Sequence, residues 1–448
     1  MLRKDANETL SRVGKGTPMG ELFRRFWLPA ALSSEIAEKD GPPIRLRILK
    51  EDLIAFRDTK GRVGVVQAYC SHRLAPLFFG RNEDCGIRCG YHGWKFDVDG
   101  NCLETPNVPA DAPDIRSRVG ITAYPVEERA GVIWVYMGPK EHQPPFPAIE
   151  YANLPADQVF AARWLQRTNW SQGLEGEIDS SHISWLHRDF DKENTKQKST
   201  GAQMTNDAAP HIELRQTDYG MVYGARREHE GQYLWRVTQF MLPMFSLIPR
   251  GPGEFVQGGG RAWVPIDDNN TTVFTFGYRV DHPIEKAELE SYYLSGALFP
   301  PRLTKGPYKL QDETVIDTFL PVATKGNDYL VDRVMQRHQN FTGIWGVHDQ
   351  DRALAENSRV IEGDPGIADR SFEHLVSSDR AVVAARRILI NMADQLKAGA
   401  EPSAVQNADL FRVRAISKLT PIETFDEFAE TYGHEFAAAS MTEVEPAL

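Results

Sequence analysis

The sequence predicts an α+β fold: an N-terminal all-β domain, then a larger domain with an antiparallel sheet carrying helices on one face, in a helix-grip-like arrangement. Two patterns predict it. Short β-branched runs separated by Lys/Glu/Asp/Gly turns fill the first third of the chain, the mark of a small sandwich or barrel. Longer strand patterns come next and helical patterns follow them, the order expected when helices pack on one sheet. The run Pro144, Pro145, Phe146, Pro147 interrupts both regimes, because proline continues neither a ladder nor a helix interior. We therefore divide the chain into 1–145 and 146–448.

In order, strands are expected at Ile44–Ile48, 53–57, 63–68, 93–98 and 132–137. Asp58 to Gly61 forms a hairpin turn by its chemistry, and Asp99-Gly100 closes a second one. Beyond the prolines, 164–185 mixes helical and polar features. Strands follow at 221–226, 234–242, 260–265 and 272–280. A polar helix is expected near 349–359 and a longer one near 378–396, with Ser377 or Ser378 as N-cap and Gly399 just past its end.

Composition excludes several classes. Hydrophobic residues make up 41% and charged residues 25%, ordinary values for a chain that buries a large core. The net charge of −11 argues against nucleic acid or an anionic membrane as partner. Four cysteines are too few for a disulfide-built scaffold. The N-terminus lacks the apolar core of a signal peptide, and no apolar run reaches bilayer length, so a cytoplasmic location is expected.

The placement of two of those cysteines is informative. Cys70 and His72 form C-x-H, Cys89 and His92 form C-x-x-H, and sixteen residues separate the halves. Coincidence, a structural zinc site and a Rieske [2Fe–2S] cluster are the competing readings. Zinc fingers usually pair cysteine with cysteine at one end, whereas a Rieske cluster has two cysteines on one iron and two histidines on the other. Cys85 and Cys102 are read as ordinary free thiols.

A second polar constellation spans 169–187. Asn169, Gln172, Glu175, Asp179 and His182 share a face at helical spacing, interleaved with Trp170, Leu174, Ile178 and Trp185, which leaves little room for a solvated face. His182 and His187 are five apart, roughly 140° around a regular helix, so joint metal ligation requires a π-bulge or a helix end. Two histidines and one carboxylate make the facial triad of non-haem Fe(II) oxygenases.

Both constellations resemble one family. The segments CSHRLAP (70–76) and CGYHGWKFDVDGNCLETP (89–106) are similar to the cluster loops of Rieske ring-hydroxylating oxygenases. EGEIDSSHISWLH (175–187) fits the D-x-x-H-x4-H iron motif of that family. The stretches 7–30 and 369–387 resemble its phthalate-dioxygenase-like branch. The resemblance implies that Cys70 and Cys89 bind one cluster iron and His72 and His92 the other, with Pro76 shielding the cluster and Trp94 packing under its second loop. It implies a mononuclear Fe(II) held by His182, His187 and an aspartate from a late helix. Asp351, five residues before Glu356, takes that position, with Asp349 the fallback. Asp179 is implied as the bridge to a cluster histidine of a neighbouring subunit, hence a homotrimer, and Glu175 stands with it as a candidate catalytic carboxylate.

No G-x-G-x-x-G opens a strand–helix unit, so neither flavin nor NAD is expected in this chain. Electrons are expected from a separate reductase with flavin and a ferredoxin-type [2Fe–2S] centre, using NAD(P)H. The implied reaction is O2-dependent hydroxylation of a phthalate- or benzoate-like aromatic acid, or alternatively O-demethylation of a methoxylated one. A zinc-stabilised binding protein is the reading from a different class. For a substrate carboxylate the candidate is Arg226 first, then Arg236, since a guanidinium fork matches a carboxylate.

Overall fold

The computed structural model describes residues 1–190, 207–249 and 258–436. Its first third holds two helices, α1 (Lys4–Ser11) and α2 (Pro18–Phe23), and three small sheets. β1 (Trp27–Leu32), β10 (Val126–Arg129) and β11 (Val132–Tyr136) form one sheet. β2 (Ile44–Ile48), β3 (Glu51–Arg57), β4 (Val63–Gln67) and β9 (Ala123–Tyr124) form another. The third sheet is built from β5 (Arg81–Glu83), β6 (Gly86–Arg88), β7 (Lys95–Phe96) and β8 (Cys102–Glu104). The expected turn after β3 is present: the Asp58 carboxylate accepts from the Lys60 and Arg62 amides, and Gly61 takes φ +86°. The strand expected over 93–98 shrinks to Lys95–Phe96. Gly93 at φ +76° turns the chain back, so that Cys89 and Trp94 pair their backbones instead.

The larger part is built on an eight-stranded antiparallel sheet. Its path runs β12 (Val159–Gln166), β18 (Thr271–Tyr278), β17 (Gly258–Pro265), β16 (Phe245–Leu247), β15 (Gln232–Met241), β14 (Gly220–His229) and β13 (His211–Thr217). A late strand, Ile416–Thr420, joins at β15. Glu230 and Gly231 link β14 to β15 as a two-residue hairpin with both residues at positive φ, which matches the strand twist. Against one face lie α3 (Trp170–Ile178) and α6 (Arg380–Lys397), with the single turn α4 (Ile183–Leu186) following α3 and α5 (Val347–Ala355) packed on α3. Against the opposite face, α7 (Phe425–Tyr432) covers Trp235 and Val237.

Helix α6 buries Val382, Ala385, Leu389, Ala393 and Leu396 along one stripe. It ends as expected at Gly399, φ +96°, where the Gly399 amide donates to Leu396 and the Ala400 amide to Gln395. Its start differs from expectation. Ser377–Asp379 form a 3₁₀ turn, the helix begins at Arg380, and the Asp379 carboxylate accepts from the Val376 amide rather than capping the helix with a serine.

The N-terminal arm packs on the larger part of the chain. Asn7 donates to the Ala368 carbonyl and accepts from Arg370, and Arg12 pairs with Asp364 at 2.7 Å. The 144–147 prolines are not a free tether either: Phe146 lies 5.7 Å from Trp27 and 5.2 Å from Trp134 between ring centres. One apolar core therefore runs from Phe23 and Trp27 through Trp134 to Phe276 and Leu389. A smaller, separate core lies under the β5–β8 sheet, around Leu77, Ile87, Trp94 and Phe96. No helix among the described residues is long and apolar enough to cross a membrane.

Candidate metal centres

The two halves of the first constellation meet at the tip of the β5–β8 sheet. Cys70 and Cys89 are buried at 1% and 3% exposure, while His72 and His92 are partly exposed beside them. Burial pushes the Cys70 thiol up to about 11, opposed by the His72 and Arg73 backbone amides, and the neighbouring Cys89 raises it further. The Tyr91 amide reaches the Cys89 sulfur at 3.5 Å. Sulfurs that are buried, adjacent and met by N–H donors suit thiolates on a metal, which removes the proton that burial otherwise holds on. The two imidazole rings stand 4.7 Å apart. Sulfurs inside and imidazoles outside is the arrangement a two-iron cluster with unlike ends requires. Trp94 stacks flat on His72, 4.6 Å between centres and 6° between planes, and donates to Asn107 at 2.7 Å. It thus braces the first loop from a position on the second. Cys102 is buried in the same small core and its sulfur reaches the Glu104 carbonyl at 3.6 Å, while Cys85 is half-buried in the β5–β6 turn at φ +64°.

The second constellation gathers around the end of α3. Asn169 caps that helix, and the chain leaves it at Asp179. One further turn, α4, has His182 at its N-cap and His187 at its C-cap, so the helix ends that joint ligation demands are present. From α5 comes Asp351. His187 Nε2 is 3.1 Å from Asp351 Oδ1 and 3.2 Å from His182 Nε2, and His182 Nε2 is 3.7 Å from Asp351 Oδ1. Ligands at right angles with bonds of about 2.1 Å stand about 3.0 Å apart, so the three atoms fit one face of an octahedral metal. Asp349, the fallback, is turned away and bonds Arg352 at 2.7 Å.

Charge is concentrated here. Burial disfavours the Asp179 carboxylate, yet hydrogen bonds from His182 and Ser181 win and hold it down at about 2. One of its oxygens takes both the Ser181 amide and hydroxyl at 2.7 Å, and the other faces His182 Nδ1 at 3.5 Å. Burial lowers His182, but Asp179 and Asp351 raise it to about 9. A cation would replace that proton. From β14, the Tyr223 hydroxyl donates to the Ile178 carbonyl, and Arg227, fully buried, donates to Ser180. The turn that carries Asp179 is pinned from below.

Glu175, expected among the catalytic carboxylates, lies elsewhere. It binds Arg386 at 2.8 Å and Arg370 at 3.0 Å, one helical turn back from Asp179. The helix stops at Ile178, so the helical face that carries Glu175 does not continue to His182. Arg226 is also corrected. On β14 it faces away from α3, lies 4.6 Å over Tyr233 and donates to the Glu423 carbonyl. Arg236, opposite Ala225 on the inner face, donates to the Pro249 carbonyl at 3.1 Å.

Several side chains had no signal in the sequence. Gln350 meets His187 Nδ1 at 2.7 Å. His348, fully buried among Trp164, Trp263 and Phe299, accepts from Trp164 at 2.9 Å, and burial pushes it well below the usual histidine range. A groove of about 860 Å³ opens beside His182 and Gln350, walled by Trp185, Phe341 and Leu354 and rimmed by Lys325 and Arg333.

Comparison with known proteins identifies both parts of the chain. Residues 26–125 match the Rieske [2Fe–2S] domain and residues 135–445 the LigXa-like C-terminal domain. The chain is 37% identical to the 3-chlorobenzoate-3,4-dioxygenase oxygenase subunit of Comamonas testosteroni, covering 94% of this chain and 95% of that one. It is 38% identical to the phthalate 4,5-dioxygenase oxygenase subunit of Pseudomonas putida, over 89% and 88%. Among solved structures, dicamba monooxygenase with non-heme iron and dicamba superposes with a TM-score of 0.53 at 17% identity, over 84% of this chain and 99% of that one, a likeness of fold.

Proposed function

The chain belongs to the Rieske ring-hydroxylating oxygenases as an oxygenase subunit of the phthalate-dioxygenase-like branch, and from this we propose that it hydroxylates an aromatic acid with O2 and electrons from a separate reductase. One observation carries the reading: His182, His187 and Asp351 converge to within 3.7 Å in a chain that also brings Cys70, His72, Cys89 and His92 together. Cys70 and Cys89 would hold one cluster iron, and His72 and His92 the other. His182, His187 and Asp351 would hold the mononuclear iron. When bound, the cluster passes single electrons and the mononuclear iron activates O2.

The chain's own residues do the rest. Asp179 orients His182 and, at about 2, stays ionised at working pH, ready to accept a hydrogen bond from a second imidazole. That second imidazole is a cluster histidine of a neighbouring copy, in a homotrimer. Leu74, Phe79 and Tyr91 are 72%, 74% and 58% exposed at the cluster tip. Trp185 and Leu354 are 50% and 59% exposed at the groove beside His182. Apolar surface at both ends favours head-to-tail docking. The electron donor is a reductase with flavin and a ferredoxin-type [2Fe–2S] centre, and the location cytoplasmic. For a substrate carboxylate, Arg236 on the inner face of the sheet is the remaining candidate. We keep 145/146 as the division between the two functional halves.

The test is a product screen. Purified protein with a surrogate reductase and NADH is given phthalates, benzoates and methoxybenzoates. Hydroxylated or dihydrodiol products are expected, and formaldehyde from a methoxybenzoate would instead select O-demethylation. A colourless, zinc-loaded protein would overturn the reading and leave a zinc-stabilised binding protein.

A further inference from the structure

One side chain touches the iron-binding set without belonging to it. Gln350 stands one residue before Asp351 on α5, 5% exposed, and its amide is engaged at both ends. Nε2 donates to the Ile344 carbonyl at 2.9 Å, and Oε1 lies 2.7 Å from His187 Nδ1. A backbone carbonyl only accepts, so it fixes which end of the amide is nitrogen. The amide oxygen also only accepts, so the proton between Gln350 and His187 belongs to His187 Nδ1. A neutral imidazole with its proton on Nδ1 carries its lone pair on Nε2. Nε2 is the atom that faces Asp351 at 3.1 Å and His182 at 3.2 Å.

We infer that Gln350 is a positioning residue that holds His187 in the Nδ1–H form with Nε2 turned to the metal, its own orientation being set by the Ile344 carbonyl. The inference rests on the metal reading above. It also separates the two histidine ligands. His182 has a carboxylate, Asp179, behind it, whereas His187 has a neutral amide, so among the described residues the outer negative charge sits on the His182 arm of the site.

The experiment uses the full chain with its cluster in place, stripped of mononuclear metal by a chelator and titrated with Co(II) by calorimetry. Gln350→Leu keeps the size of the side chain and removes the acceptor. It is expected to weaken Co(II) binding about 10- to 100-fold, with the visible spectrum of the cluster unchanged. Gln350→Glu keeps an acceptor for His187 Nδ1 but loses the donor to the Ile344 carbonyl, and is expected to bind Co(II) more tightly than Gln350→Leu. Native affinity in Gln350→Leu would overturn the inference, as would equal weakening in both variants, which would mean packing rather than hydrogen bonding. If Gln350→Leu does not fold, Gln350→Met, which also removes the amide acceptor, takes its place with the same expected and overturning results. His187→Ala separates the two levels: a native protein that takes up no Co(II), or takes it up equally without His187, removes the metal site itself.

Discussion

Glu175 shows how a single carboxylate can serve the fold rather than the reaction. Burial raises it, but Arg370 and Arg386 hold it below the usual carboxylate range. Among the described residues, Glu175→Gln leaves the buried Arg370 without a carboxylate partner and Arg386 with Glu373 alone, and a loss of about 3 kcal/mol is expected by chemical denaturation. The pH dependence follows from the sign. A depressed carboxyl stabilises the fold above its unfolded value near 4.3, and that contribution fades as pH falls below it, so native and variant stabilities should converge in acid. Asp179 makes a different prediction. Asp179→Asn keeps the shape but loses the charge facing His182, and single-turnover electron transfer to the iron is expected to slow at least about tenfold while iron content falls less. An unchanged rate would reject the bridging role. At this scale the two clusters of candidate ligands were legible because metal chemistry restricts residue type and spacing together. Gln350 was not, because an amide beside an aspartate has no distinguishing pattern. Arg226 and Arg236 differ by strand parity alone, and Trp235 and Val237 are buried on the outer face by α7, so no polar alternation marks which side is inner.

Among the elements, the β6–β8 ladder sets the rigidity of the second cluster loop. Glu104 bonds Arg88 at 2.8 Å and also Lys95, joining all three strands, and these partners hold it at about 2. Its contribution is present above the unfolded value near 4.3 and lost toward pH 2. Glu104→Gln should therefore bleach at lower temperature than the native protein at pH 6, the gap closing as pH falls toward 2, with the cluster's visible absorbance as readout. The long strands and α6 were legible from period and cap chemistry, the Gly399 terminus included. The ends of α3 and α4 were not. Nothing in the local pattern stops a helix at Ile178; Tyr223 and Arg227, from a strand some forty residues later, hold the turn that follows.

For the whole molecule, the trimer reading predicts complementation. A Cys89→Ser subunit lacks a working cluster and a His182→Ala subunit lacks a working iron. Each alone should be inactive, yet mixed trimers formed by co-expression should recover activity, since one copy's cluster serves its neighbour's iron. No recovery would place electron transfer within one chain. Overall architecture was readable from strand and helix order. The attachment of the N-terminal arm to the catalytic half was not, because Asn7 and Arg12 find partners at 364–370 that no local pattern announces.

The unbroken core linking Trp27, Trp134 and Phe276 bears on how such chains can be recombined. A crossover at the prolines would cut through interlocked rings and join halves whose side chains had never been fitted to each other. The transplantable cassette is smaller: the cluster lobe, 68–122, shares its core with Ile54, Phe56 and Val66 and is tied to the neighbouring sheet by Asn82, which donates to the Gly41 and Arg57 carbonyls, so those contacts must match in the host. Redox grafts between relatives should exchange that lobe and leave the substrate-handling body intact.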